Sequence, residues 1–111
     1  MDFNEYQEKA SVTATFTGKQ EEHQLMYLAL GVCGESGEIA EKIKKMIRND
    51  NGIITDETRA LLKLEIGDVL WYLSQLSRVL GFSFDDAAQA NIEKIMDRRA
   101  RGVIKSSGDT R

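Results

Sequence analysis

Glu35 and Glu38 stand three residues apart in "GVCGESGEIAEKIKK", and Glu65 and Asp68 repeat that spacing in "EIGDVLWYL". At about 100° per residue on a helix, Leu28, Val32, Ile39, Ile43 and Met46 form one apolar stripe. Glu35 falls inside that stripe and Glu38 lies one step to its side. A second stripe holds Leu62, Ile66, Val69, Leu73, Leu76 and Leu80, with Glu65 inside its arc and Asp68 flanking it. Carboxylates are rarely buried unpaired, because desolvating a charge costs several kcal/mol. Two arrangements accommodate them. In one, salt bridges run along the helix surfaces to Lys42, Lys45, Lys63 or an arginine, Glu38 to Lys42 being available at i, i+4. In the other, two antiparallel helices bring both acidic pairs together around a cation. Four carboxylates without histidine or cysteine suit a hard ion, Mg²⁺ or Mn²⁺ before Zn²⁺. His23 and Cys33 are the only residues of their types and have no partner at ligand spacing, so both are read as structural.

The elements that must position these acids follow from the rest of the chain. Its 111 residues, 41% hydrophobic and 30% charged, allow one globular domain. There is no proline, and apolar positions recur every three or four residues, which predicts an all-α fold. Four helices are expected: about Phe3 to Phe16, about Glu21 to Arg48, Thr55 or Asp56 to Leu80, and one opened by Ser83 with Asp86 and ending near Gly102. "TGKQ" and "NDNG" supply the first two stops and Gly81 the third. Residues 1–104 form the expected domain, and "KSSGDTR" (105–111) is expected to be a mobile tail with nothing to bury. The net charge is −3 and the basic residues are not concentrated in one block, which argues against a nucleic-acid polymer as partner. The longest apolar-rich run, Leu25 to Gly34, is too short to span a membrane, and a single cysteine fits a cytoplasmic protein.

Other residues bear on a ligand. Gly31, Gly34 and Gly37 interrupt the second helix at a cost of about 1 kcal/mol each. Gly31, one turn before Glu35, leaves room for a ligand, and Gly37 and Gly67 admit a further helix closely. Asn91, Lys94, Arg98 and Arg101 share one face of the last helix, and cations beside a carboxylate-bound metal are what a polyphosphate requires. Tyr72, one turn past Asp68, is placed to cover a nucleobase or ribose. Trp71 projects away from the expected core, as a subunit interface would need.

Glu35-x-x-Glu38 and Glu65-x-x-Asp68, with 26 residues between the pairs, resemble the MazG-like nucleotide pyrophosphohydrolases of the all-α NTP pyrophosphatase superfamily. "YQ", "GVCGESGEIAEKIKK", "EIGDVLWYLSQL" and "NIEKIMDRR" occur in that family's order and cover most of the chain. The resemblance implies a four-helix bundle core assembled as a homodimer or dimer of dimers. It implies Mg²⁺-dependent hydrolysis of a nucleoside triphosphate to monophosphate and pyrophosphate, a nucleotide-pool house-cleaning activity. Glu35, Glu38, Glu65 and Asp68 match the metal ligands, and Asn91, Lys94 and, less closely, Arg98 match phosphate-contacting positions. Glu35 or Glu38 would orient or deprotonate the water attacking the α-phosphorus. A phosphoribosyl-ATP pyrophosphohydrolase or dUTPase-like relative would use the same metal site, and a non-catalytic helical dimerisation module would leave Glu35 and Glu65 unexplained.

Overall fold

The computed structural model describes residues 1–16, 20–105, 107–109 and 111. Four helices follow one another: α1 (Phe3–Ser11), α2 (Glu21–Asn49), α3 (Asp56–Leu80) and α4 (Phe84–Ala100), with no strand among the described residues. Each start except that of α2 carries a side-chain cap. Asp2 accepts from the Glu5 amide, Thr55 from Thr58 and Ser83 from Asp86, satisfying amides the helices themselves leave open. At the end of α3, Gly81 takes a left-handed φ of 91°; its N–H donates to Arg78 and that of Phe82 to Ser77, closing the last carbonyls.

Helix α1 is shorter than expected, stopping at Ser11 rather than Phe16. The Ser11 and Thr13 hydroxyls donate to the carbonyls of Glu8 and Ala10, competing with helical amides just where β-branched Val12, Thr13 and Thr15 begin. Thr17, Gly18 and Lys19 of the predicted "TGKQ" stop lie outside the described residues.

α2 and α3 form a long antiparallel hairpin, since Lys42 faces Glu65 while the earlier Gly31 faces the later Tyr72. The reversal uses Asn51 and Gly52 at φ 54° and 75°, values that asparagine and glycine tolerate. α1 and α4 lie against α3 and against each other, whereas no described Cα of α4 lies within 8 Å of one in α2. The four helices therefore do not close into one bundle within the chain. The radius of gyration is 17.0 Å, against about 13 Å for a compact domain of this length.

This open arrangement corrects the expected core. Leu28 is completely buried and Val32, Ile39, Met46, Leu62, Val69 and Leu76 are half-buried, but Ile43, Ile66, Leu73 and Leu80 are exposed. The side of α3 that α1 and α4 cover instead buries Ser74, Gln75 and Ser77. Gln7 joins the three helices: its Nε2 donates to the Ser74 carbonyl at 3.0 Å, its Oε1 accepts from the Phe84 amide at 3.1 Å, and its own carbonyl accepts from Gln75 at 3.3 Å. Gln75 in turn accepts from Arg78 Nε at 2.8 Å.

Replacing Gln7 with alanine keeps the backbone carbonyl that Gln75 uses but leaves the Phe84 amide without its acceptor and the Ser74 carbonyl without its side-chain donor. The expected loss is about 1–3 kcal/mol, read by chemical denaturation; an unchanged midpoint would show that water replaces these bonds freely.

Candidate functional site

The hairpin brings three of the four acids together. One carboxylate oxygen from each of Glu35, Glu65 and Asp68 can be chosen so that all lie within 4.8 Å of one another. Glu35 and Glu65 are half-buried and Asp68 is exposed. Glu38 is exposed and stands outside this trio, although its negative charge bears on Glu35 and on Lys42. The reason is angular: three residues past Glu35, it has turned from the α3-facing line of α2.

Lys42 is the cation inside the cluster. Its Nζ lies 2.8 Å from Glu65 Oε1 across the helix pair, a longer-range contact than the i, i+4 pairing with Glu38. The hydrogen bond to Glu65 holds the Lys42 ammonium above its ordinary pKa, and the charges of Glu65, Glu38 and Glu35 add to this against desolvation. Glu35 is pushed above the ordinary carboxylate value by desolvation and then by Asp68, Glu65 and Glu38, with Lys42 opposing. Acceptor-only oxygens converging at this spacing, three carboxylates against the single Lys42 ammonium, have the chemistry of a hard divalent-cation site.

A cleft of about 380 Å³ opens beside the acids. Glu35 and Asp68 form one part of its lining, Tyr27, Trp71 and Tyr72 another, and Thr13 and Thr15 a third. Tyr72, expected to cover a nucleobase or ribose, is one of these lining residues. The space expected at Gly31 is already filled, because a Cβ there would lie 2.1 Å from Tyr72 Cε1. Gly34, Gly37 and Gly67 face open space within the chain. Trp71, expected to project outwards, forms a wall of the cleft. It is half-buried, its Nε1 donates to Thr13 Oγ1 at 2.9 Å, and it meets Phe16 and Tyr72 edge-on with centroids 6.3 and 5.0 Å apart. Tyr27 was missed, although Tyr27, Gly31 and Glu35 share a line at i, i+4, i+8. Thr13 and Thr15 lie beyond a helix end, where no periodicity points to them.

The basic residues of α4 are not joined to this cluster. Lys94 Nζ and Arg98 Nη2 lie 3.2 and 3.1 Å from Asp109 Oδ1, and Arg98 also donates to the carbonyls of Gly108 and Asp109. Arg98 is only 5% exposed. Among the described residues, no ion pair links Lys94 or Arg98 to Glu35, Glu38, Glu65 or Asp68. Asn91 is exposed, and Arg101 pairs with Asp97 on its own helix. Of the C-terminal tail, Asp109 lies against α4 as the counterion of Lys94 and Arg98, while Ser106 and Thr110 lie outside the described residues.

Two comparisons bear on this geometry. Residues 21–103 match the family model described as the MazG nucleotide pyrophosphohydrolase domain. The chain is 43% identical over 109 residues to the "Gene 37 protein" of Mycobacterium phage L5, an alignment covering 96% of both chains. No solved structure matches significantly. None of the described helices is long and apolar enough to cross a membrane.

The glycines separate by what they face. Gly31→Ala drives a methyl into the Tyr72 ring and should cost about 1–3 kcal/mol as overpacking, whereas Gly34→Ala should be neutral or stabilising by up to about 1 kcal/mol. Thermal melts of the two variants check the pair; equal melting temperatures would show that Tyr72 moves aside without cost.

Proposed function

The chain belongs to the MazG nucleotide pyrophosphohydrolase family, and from that premise we propose that it hydrolyses a nucleoside triphosphate, (d)NTP, to the monophosphate and pyrophosphate with Mg²⁺ as cofactor. The observation that carries the reading is the trio Glu35, Glu65 and Asp68, within 4.8 Å of one another beside an aromatic-walled cleft. Glu35, Glu65 and Asp68 would hold the cation, with Glu38 on its rim, and Mn²⁺ would serve the same oxygen donors. Bound there, the divalent ion supplies charge neutralisation between an anionic substrate and an anionic site.

The chain's own groups do the remaining work. Glu35 is the group that orients or deprotonates the attacking water, because desolvation and three neighbouring carboxylates raise its proton affinity. In-line attack at the α-phosphorus adds the water oxygen to the nucleotide and releases pyrophosphate. Lys42 holds Glu65 in place across the hairpin. Tyr72 and its aromatic neighbours exclude water from one wall and receive the nucleoside. Lys94, Asn91 and Arg98 are the polyphosphate contacts in this reading, with Asp109 yielding Lys94 and Arg98 to the substrate.

Asp68→Asn and Glu35→Gln should each lower turnover by about 10²-fold or more, since preorganised charge is lost. In chelator, Glu35→Gln should also raise the melting temperature, because the neutral amide removes a carboxylate that its neighbours penalise. That gain narrows as pH falls towards the raised pKa of Glu35, where protonation has the same effect. Hydrolysis in ¹⁸O-water should label the monophosphate and leave pyrophosphate unlabelled. Near wild-type turnover in both variants, or orthophosphate as the first product, would overturn the assignment.

We further propose that the active species is a homodimer or a dimer of dimers. Ile66, Leu73 and Leu80 recur every seven residues on one exposed side of α3, and Ile92 and Met96 are exposed on α4. A second copy of the chain is the natural cover for such a stripe, completing a bundle that α2 and α4 leave open. Ile66→Glu should shift the sedimenting species towards monomer. A wild-type protein sedimenting as monomer at assay concentration would refute the assembly.

A further inference from the structure

Thr13 and Thr15, between α1 and α2, reach the cleft from outside the family-matched region, which begins at residue 21. Both residues carry a hydroxyl, and Phe16, which follows them, is 2% exposed. Phe16 anchors the segment: its ring lies 5.8 Å from Tyr27 and 6.3 Å from Trp71, with the Arg78 guanidinium 5.9 Å from its centroid. Thr13 is fixed at both ends. Its Oγ1 donates to the Ala10 carbonyl at 2.8 Å and accepts from Trp71 Nε1 at 2.9 Å, so the α1 terminus determines where the indole sits.

We infer that this strap, residues 13–16, is the selectivity wall for the nucleobase, and that Thr13 is the positioning residue that sets Trp71 against it. The inference rests on the proposed nucleotide substrate and says which residues discriminate its base. The cleft has an anionic end, Glu35 and Asp68, suited to the cation and phosphates, and an aromatic end suited to a planar ring. Base–aromatic stacking is worth about 1–3 kcal/mol and tolerates any base. Aromatic walls alone therefore give affinity without choice. Discrimination needs placed polar groups, because a site built to hydrogen-bond a substrate rejects the analogue that leaves its groups unpaired. Among the residues lining this cleft, Thr13 and Thr15 carry neutral hydroxyls beside the aromatic walls, as do the Tyr27 and Tyr72 phenols. The family's acidic motifs thus fix the reaction, and a segment outside the matched region chooses among nucleotides.

Trp71 is the single tryptophan, so its fluorescence reports on this wall without interference. Adenosine, guanosine, cytidine and thymidine monophosphates are titrated against the full chain in chelator, reading quenching of Trp71. Unequal dissociation constants are expected, at least about tenfold between the best and worst base. Thr13→Val, which keeps the shape and loses the hydroxyl, should shift the Trp71 emission, weaken the best ligand several-fold and compress the ranking; Thr13→Ser should restore all three. With triphosphates the same variant should raise KM for the preferred base more than it lowers kcat. Thr13→Val with wild-type ranking and emission, or no quenching by any monophosphate, would overturn the proposal. A protein that binds bases selectively but hydrolyses no triphosphate would refute the proposed reaction and leave this wall standing.

Discussion

Three carboxylates within 4.8 Å of one another repel, and the rest of the chain is arranged around bearing that repulsion. Two unit charges at about 4 Å oppose each other by about 1 kcal/mol in water and about 4 kcal/mol near a protein surface. No single contact offsets several such pairs. α2 and α3 run 29 and 25 residues, far longer than the acids need, and face each other over most of that length. Lys42 places its ammonium against Glu65 within the same surface. The residual anionic character is the property a divalent ion would meet, so the destabilising element of the apo chain and its proposed chemistry have one origin.

The polar character of the buried side of α3 follows from the same division of labour. One side of α3 carries the acids towards α2, while Ser74, Gln75 and Ser77 lie beneath α1 and α4. Hydrogen bonds through Gln7 and Gln75 fix α1 at a definite height on α3. That height matters because Thr13, two residues past the end of α1, holds the cleft tryptophan. A greasier contact would permit sliding along the helix axis; directional bonds do not.

The helices and the acidic trio were legible because both are local patterns. Period, caps and i, i+3 spacing are carried by α2 and α3 themselves, and their bounds differ little from those expected. What was not legible depends on neighbours far along the chain. Ile66, Leu73 and Leu80 satisfy a burial pattern that no helix of this chain completes. Trp71 points away from the apolar stripe yet meets a threonine 58 positions earlier, and periodicity is silent about such a partner. Glu38 has the spacing of its neighbours and lies past the turn at which the helices face each other. Asp109 sits in a tail without apolar residues, and its attraction to Lys94 and Arg98 is a matter of charge rather than pattern.

The contact between Gly31 and Tyr72 acts as a calliper. With no Cβ on α2 and an aromatic ring on α3, the interhelical gap at the mouth of the cleft is fixed by the thickness of one ring. The two positions consequently behave as a single coupled site during divergence. A relative with a larger residue at the first position must carry a smaller one at the second to keep its helices in register, and the exchanged bulk would move from one wall of the cleft to the other. Cleft shape can then change by a paired swap that leaves the acids, one turn away, where they are.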